Sequence, residues 1–205
     1  YDHISTPRGD REDVIVGAME DVITEKAADV VLLCTDSFTR KAFDKIKFIV
    51  EKKINVISSA EEMAYPMAQE PELAKEIDRL AKENGVSVLG TGINPGLIMD
   101  LLVILMTGCC EEVHSILSRR VNSLSPFGPA VMEEQGIGIT VEEFNKGVQE
   151  GTLAGHVGFH ESIGMIADAI VWKLSAPITQ SMEPIVTDVD RKSPYGFAKA
   201  GNVAG

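Results

Sequence analysis

Apolar and polar positions alternate along the chain in two regimes. In the first, short apolar runs are separated by stretches of helical periodicity. Val14-Ile15-Val16 reads as a short strand, and residues 18–26 as a short helix. Asp29-Val30-Val31-Leu32-Leu33-Cys34 is almost continuously apolar, as expected of a parallel strand covered on both faces. Residues 39–53 place Phe43, Ile46, Phe48, Ile49 and Val50 at helical spacing, and Asn55-Val56-Ile57 reads as the next strand. Residues 72–84 set Leu73, Ile77 and Leu80 on one helix face, ended by Asn84-Gly85. Val86-Ser87-Val88-Leu89 follows as a strand, and an apolar helical stretch runs from Leu97 to Met106.

Beyond Met106 the pattern changes. Residues 113–121 alternate imperfectly and predict a longer, half-exposed strand. Thr140-Val141-Glu142-Glu143 is a capping box, which predicts a helix reaching about Glu150. Phe159, Ile163, Ile166 and Ile170 predict a second helix within 155–172, and 177–189 reads as another strand. Ser125-Pro126-Phe127-Gly128-Pro129 and Gln135-Gly136-Ile137-Gly138 read as loops. The expected fold class is α/β: a partial, doubly wound parallel sheet over 1–94, followed by an incomplete α+β substrate and dimerisation domain over 95–205.

Composition narrows the function classes. The 205 residues carry a net charge of −12, which argues against nucleic acid or an anionic membrane as partner. The apolar stretch 97–106 is broken by Asp100 and is too short to span a bilayer. Cys34, Cys109 and Cys110 have neither metal nor disulfide spacing, so a reducing cytoplasm is expected. Both ends read as loop, and the chain is expected to be a piece of a longer protein.

The most informative local feature is Gly90-Thr91-Gly92-Ile93-Asn94-Pro95-Gly96, between a strand and an apolar helix. Gly90 and Gly92 permit close backbone approach, Pro95 suits a first helical turn, and Asn94 suits its N-cap. Such a turn either offers N–H groups to a carboxylate or merely joins two domains. The chain has no G-x-G-x-x-G. Thr35 and Ser37 sit after one strand, where a cofactor could bind, although Asp36, Ser37 or Thr39 could equally cap the next helix. Ser58-Ser59-Ala60-Glu61-Glu62 sits after another. One glutamate there suits an ammonium or a nicotinamide amide, and the other a helix first turn. His156 and His160 are four apart, but no third ligand is placed, so no metal is expected; one histidine suits acid/base work or substrate contact. Arg119 and Arg120 would point to opposite faces of a strand, leaving one to hold a carboxylate.

Ala60-Glu61-Glu62-Met63-Ala64-Tyr65-Pro66, the Gly90–Asp100 segment, Arg119-Arg120-Val121-Asn122, Ser125–Pro129 and Gly155-His156-Val157-Gly158-Phe159 together resemble the 2,4-diaminopentanoate dehydrogenase family, within the wider group similar to dihydrodipicolinate reductase. The resemblance runs from about Arg8 to Gly205. The Gly92–Gly96 turn also resembles that of diaminopimelate dehydrogenases, where Asp replaces Asn94. The resemblance implies a Rossmann-type domain, an α+β substrate domain, NAD or NADP as cofactor and a diamino acid substrate; a homo-oligomer is expected, with the sheet of the second domain as a dimer surface. The resemblance implies Thr35, Ser37, Ser59, Glu61, Asn94 and Pro95 on the cofactor side. Gly96, Arg120, His156 and Glu161 fall on the substrate side, with His156 and Glu62 as catalytic candidates. Rival readings are another imine or enoyl reductase and a non-catalytic binding module.

Overall fold

The computed structural model describes residues 17–153 and 155–205, so the expected strand at 14–16 lies outside the described residues. A one-turn helix α1 (Met19–Val22) leads into β1 (Val30–Leu33), α2 (Thr39–Glu51) and β2 (Asn55–Ser58). Two 3-10 turns (Glu61–Ala64 and Pro66–Ala68), α3 (Pro71–Asn84) and β3 (Val88–Gly90) follow. The three strands form one parallel sheet in the order β1-β2-β3. Each helix begins or ends where its sequence allows. Pro71 opens α3, where a missing N–H costs nothing, and Gly85 closes it in the left-handed region at φ 68°.

Register explains the core. Val31 aligns with Val56 and Val88, and Leu33 with Ser58 and Gly90, so these residues share one sheet face. Against that face pack Ala42, Ile46, Ile49 and Val50 of α2 and Ile77 and Leu80 of α3, all buried. The opposite face carries Leu32 and Leu89, 67% and 54% exposed. Among the described residues, therefore, one of the two helical layers of a doubly wound sheet is present.

The second half consists of α4 (Leu101–Thr107), α5 (Pro129–Glu134), α6 (Val141–Glu150), α7 (Phe159–Ala169) and a minimal antiparallel hairpin, β4 (Arg191–Lys192) with β5 (Phe197–Ala198). The expected capping box is present: Glu143 N–H donates to Thr140 Oγ1, and Thr140 N–H to Glu143 Oε2. Four expectations need correction. Residues 113–121 form no strand, because no neighbouring chain supplies a ladder among the described residues; Leu117 and Val121 are 78% and 97% exposed. Residues 177–189 are also not a strand: only 185–187 pair, antiparallel, with the chain's last five residues, through Ile185 N–H to Gly205 O and Thr187 N–H to Asn202 O. Pro129, read as loop, instead opens α5. The apolar helix begins at Leu101 rather than Leu97, with Asp100 and not Asn94 as its cap.

The core of the sheet layer sets the stability of this half. Ile49→Ala removes a fully buried side chain at the α2–sheet contact and is expected to cost about 2–5 kcal/mol. Chemical denaturation of the full-length protein checks this, through a lowered midpoint at unchanged slope.

Candidate active-site cleft

The turn after β3 is held by a buried carboxylate. Asp100 has no exposed surface. Its Oδ2 accepts the Gly96 N–H at 2.7 Å and the Ser162 hydroxyl at 2.9 Å, and its Oδ1 accepts the Leu101 N–H at 2.6 Å. One side chain thus caps α4, closes the Asn94–Gly96 turn and ties both to α7. Gly96 adopts φ +120°, which a side chain would strain, and a Cβ there would collide with the Gly92 backbone. A Cβ on Gly158, at φ +113°, would lie 2.5 Å from Pro95 Cγ. Two more ties bind α7 to the 3-10 turns: Tyr65 donates its hydroxyl to Asp168 at 2.6 Å, and Gln69 Nε2 donates to Glu161 Oε1 at 2.8 Å. Burial, with the Asp168 carboxylate, pushes the Tyr65 phenol up to about 12, so it remains a donor.

The result brings Asn94 and His156 together, Nδ2 to Nε2 at 3.3 Å. Phe159 packs edge-on against the imidazole, with ring centroids 4.7 Å apart. Asn94 and His156 line an open cleft of about 890 Å³, with Ser37, Glu61 and Arg120. Five of the expected residues therefore meet in one place. Ser37, Glu61 and Asn94 come from the loops that follow β1, β2 and β3, at the carboxyl ends of adjacent parallel strands.

The remaining candidates sit elsewhere. Thr35 donates to Asp36 and accepts from Lys45, within the Asp36–Lys45 ion pair. Ser59 is exposed away from the cleft lining. Pro95 and Gly96 are buried behind Asn94 as its support. Glu161, in the first turn of α7, is fully buried and does not line the cleft; its Oε2 has no partner among the described residues. Glu62 is also buried and off the cleft lining. Its Oε2 accepts the N–H of Thr39, the first residue of α2, at 2.7 Å. The cap of α2 is thus supplied from 23 positions downstream, and not by Asp36, Ser37 or Thr39. Burial pushes the Glu62 carboxyl up, and the Glu161 and Glu70 carboxylates add to this, against the bound N–H.

His156 has a lowered pKa, first because burial disfavours its charged form and second because of the Arg120 guanidinium. Sequence reasoning missed Arg191, which also lines the cleft. Its only signal was a cation between two turn-rich segments. It missed Asp100 as the organiser of the turn, although an acid interrupting an apolar helix is a signal that could have found it. Among the described residues no group of three His, Cys, Asp or Glu side chains is disposed to hold a metal, and no helix is long and apolar enough to cross a membrane.

The architecture is a partial, Rossmann-like α/β fold. It matches the structure of an amine dehydrogenase from Mycobacterium smegmatis with a TM-score of 0.67 at 23% identity, covering 85% of this chain and 52% of that one. The chain therefore spans about half the length of that relative. Residues 97–205 match the 2,4-diaminopentanoate dehydrogenase C-terminal domain, and the chain belongs to that family.

Two measurements check the site's construction. Asp100→Ala leaves three donors without their acceptor and is expected to lower stability by on the order of 3 kcal/mol, whereas Ser162→Ala costs about 1 kcal/mol; denaturation midpoints of the two variants compare them. For His156, the folded-state pKa lies below the ordinary 6.5. The ring is neutral at neutral pH, and the stability it contributes is lost as pH falls below that value through the folded pKa. Imidazole NMR titration is expected to show a depressed midpoint that rises in Arg120→Ala but stays below 6.5, since burial is the larger cause.

Proposed function

We propose that the chain carries the nicotinamide-facing and substrate-binding part of an NAD(P)-dependent dehydrogenase. This enzyme would oxidatively deaminate 2,4-diaminopentanoate at C4, giving 2-amino-4-oxopentanoate. The observation that carries this reading is the convergence of Ser37, Glu61, Asn94, Arg120 and His156 on one cleft at the carboxyl ends of the parallel strands. Family membership supports the substrate class.

Hydroxyl and amide groups at Ser37 and Asn94 fit a nicotinamide carboxamide and its ribose. The pyrophosphate has no G-x-G-x-x-G in this chain to receive it. When bound, the cofactor supplies a two-electron hydride acceptor. The substrate amine must be neutral before C4 gives up hydride, because an ammonium nitrogen has no lone pair to form the C=N bond. Glu61, on the cleft wall, holds the incoming ammonium. His156, neutral and half-buried, takes the proton that the amine loses. At rest Asn94 Nδ2 donates to Nε2 and the ring proton sits on Nδ1; Nε2 takes the amine proton as that hydrogen bond is exchanged for the substrate. Water then adds to the substrate imine carbon, and collapse of the aminoalcohol releases ammonia and leaves the ketone. Asn94 orients the imidazole, and the Asp100-held turn keeps Asn94 in place.

The full-length protein given 2,4-diaminopentanoate and either NAD or NADP is expected to form reduced nicotinamide and ammonia in equal amounts. Absence of both products with either cofactor rules the reading out. Glu61→Gln is expected to lower kcat/KM by about 10²-fold. Glu62→Gln, which weakens the α2 cap, is expected instead to lower the thermal midpoint.

A further inference from the structure

Arg191 lies on β4, paired with Ala198 of β5, while Lys192 pairs with Phe197. Cross-strand partners share a face of the hairpin. Ala198 is buried and lines the cleft, whereas Phe197 is exposed and does not. Ala198 shares the face of Arg191, and Arg191 lines the cleft together with its neighbour Lys192. Arg120 lines the same cleft. It lies close enough to His156 to depress its pKa, so its guanidinium borders the reacting end of the cleft.

Neither guanidinium has a carboxylate partner among the described residues. In a chain with 31 acidic residues against 19 basic ones, a cleft lined by Arg120, Arg191 and Lys192 against Glu61 and Glu134 is a local reversal of charge. The hairpin that carries Arg191 is held firmly. Ser193 Oγ accepts the N–H groups of Tyr195 and Gly196, and Asp190 Oδ1 accepts that of Ala200. Gly138 packs so closely on β5 that a Cβ there would meet the Phe197 carbonyl. Strand placement of this kind reduces the ordering cost of presenting a guanidinium to a ligand.

We infer that Arg191, together with Arg120, forms the subsite for the substrate carboxylate, and so selects amino acids over simple amines. The inference rests on the proposed deaminase reading. A planar guanidinium offers two parallel N–H donors to a carboxylate. Glu61, elsewhere on the same cleft, repels that carboxylate while attracting the amine. Guanidiniums for the carboxylate and a carboxylate for the C4 ammonium, on one cleft, favour a single orientation of the substrate.

The test uses full-length protein with cofactor and two amines. One is 2,4-diaminopentanoate; the other is 2,4-diaminopentane, in which methyl replaces the carboxylate. Arg191→Ala is expected to raise KM for the first by about 10–100-fold, the loss of one charge-assisted hydrogen-bonded pair. Its kcat should stay within about threefold, and kcat/KM for 2,4-diaminopentane should not fall. Arg191→Lys should lie between wild type and Arg191→Ala, because charge is kept and the fork is lost. Lys199→Ala removes a nearby exposed charge away from the cleft and should change neither substrate. Equal losses on both amines, or no change on either, would overturn the inference. A thermal midpoint for each variant identifies one that merely misfolds, and Arg191→Gln then replaces Arg191→Ala. Should the wild type oxidise neither amine, the deaminase reading fails by itself. The subsite is then decided by calorimetry with 2-aminopentanoate, whose binding must weaken in Arg191→Ala for the assignment to stand.

Discussion

The buried carboxylate of Asp100 joins three separate parts of the chain through one side chain. A carboxylate in a protein interior is costly unless its oxygens are satisfied. Here two backbone N–H groups and one hydroxyl satisfy them, and no cation is used. Each donor belongs to a different feature: Gly96 to the turn after β3, Leu101 to the start of α4, and Ser162 to α7. Because all three converge on one residue, the turn cannot relax without unsatisfying the helix cap. It is through this knot that Asn94 keeps its position beside His156.

Around that fixed turn, the cleft is organised by charge and by dryness. Burial keeps His156 neutral, and Arg120 reinforces this. Burial also pulls Glu62 and Glu161 out of the cleft and into the joint between α7 and the 3-10 turns. Glu61, one residue from Glu62, stays on the cleft wall. Adjacent glutamates therefore take opposite jobs: one satisfies the N-terminus of α2, and the other remains free for a ligand. The 3-10 geometry of that turn turns successive side chains about a third of a circle apart, which is enough to separate them.

Much of the sheet layer was legible in the chain's own periodicity. The strand at 29–34, the helices at 39–53 and 72–84 and the Thr140 capping box all follow from local rules, and each element lies within a few residues of its expected place. The strands expected at 113–121 and 177–189 failed for a shared reason. Alternating apolar residues state a preference for extended backbone, but a strand exists only where a partner completes its hydrogen bonds. Residues 185–187 found theirs in the last five residues of the chain, and the result is a bridge rather than a ladder.

The candidate site divides along the same line. Residue type and position after a strand were enough to point to Ser37, to Asn94 and to one of Glu61 and Glu62, because carboxyl strand ends and glycine-bounded turns are visible locally; Arg120 and His156 followed from residue chemistry and the family resemblance, not from a strand end. Nothing local separates Glu61 from Glu62, or ties Asp100 to Ser162 across 62 positions. Nor does the sequence bring Arg191 to the cleft that Arg120 lines. By itself the sequence determined the parallel α/β layer, the turn and the chemistry on offer. Tertiary structure alone decided which carboxylates are buried as supports and which side chains face the cleft. Burial and hydrogen-bond satisfaction depend on what packs alongside, and those neighbours lie far away along the chain.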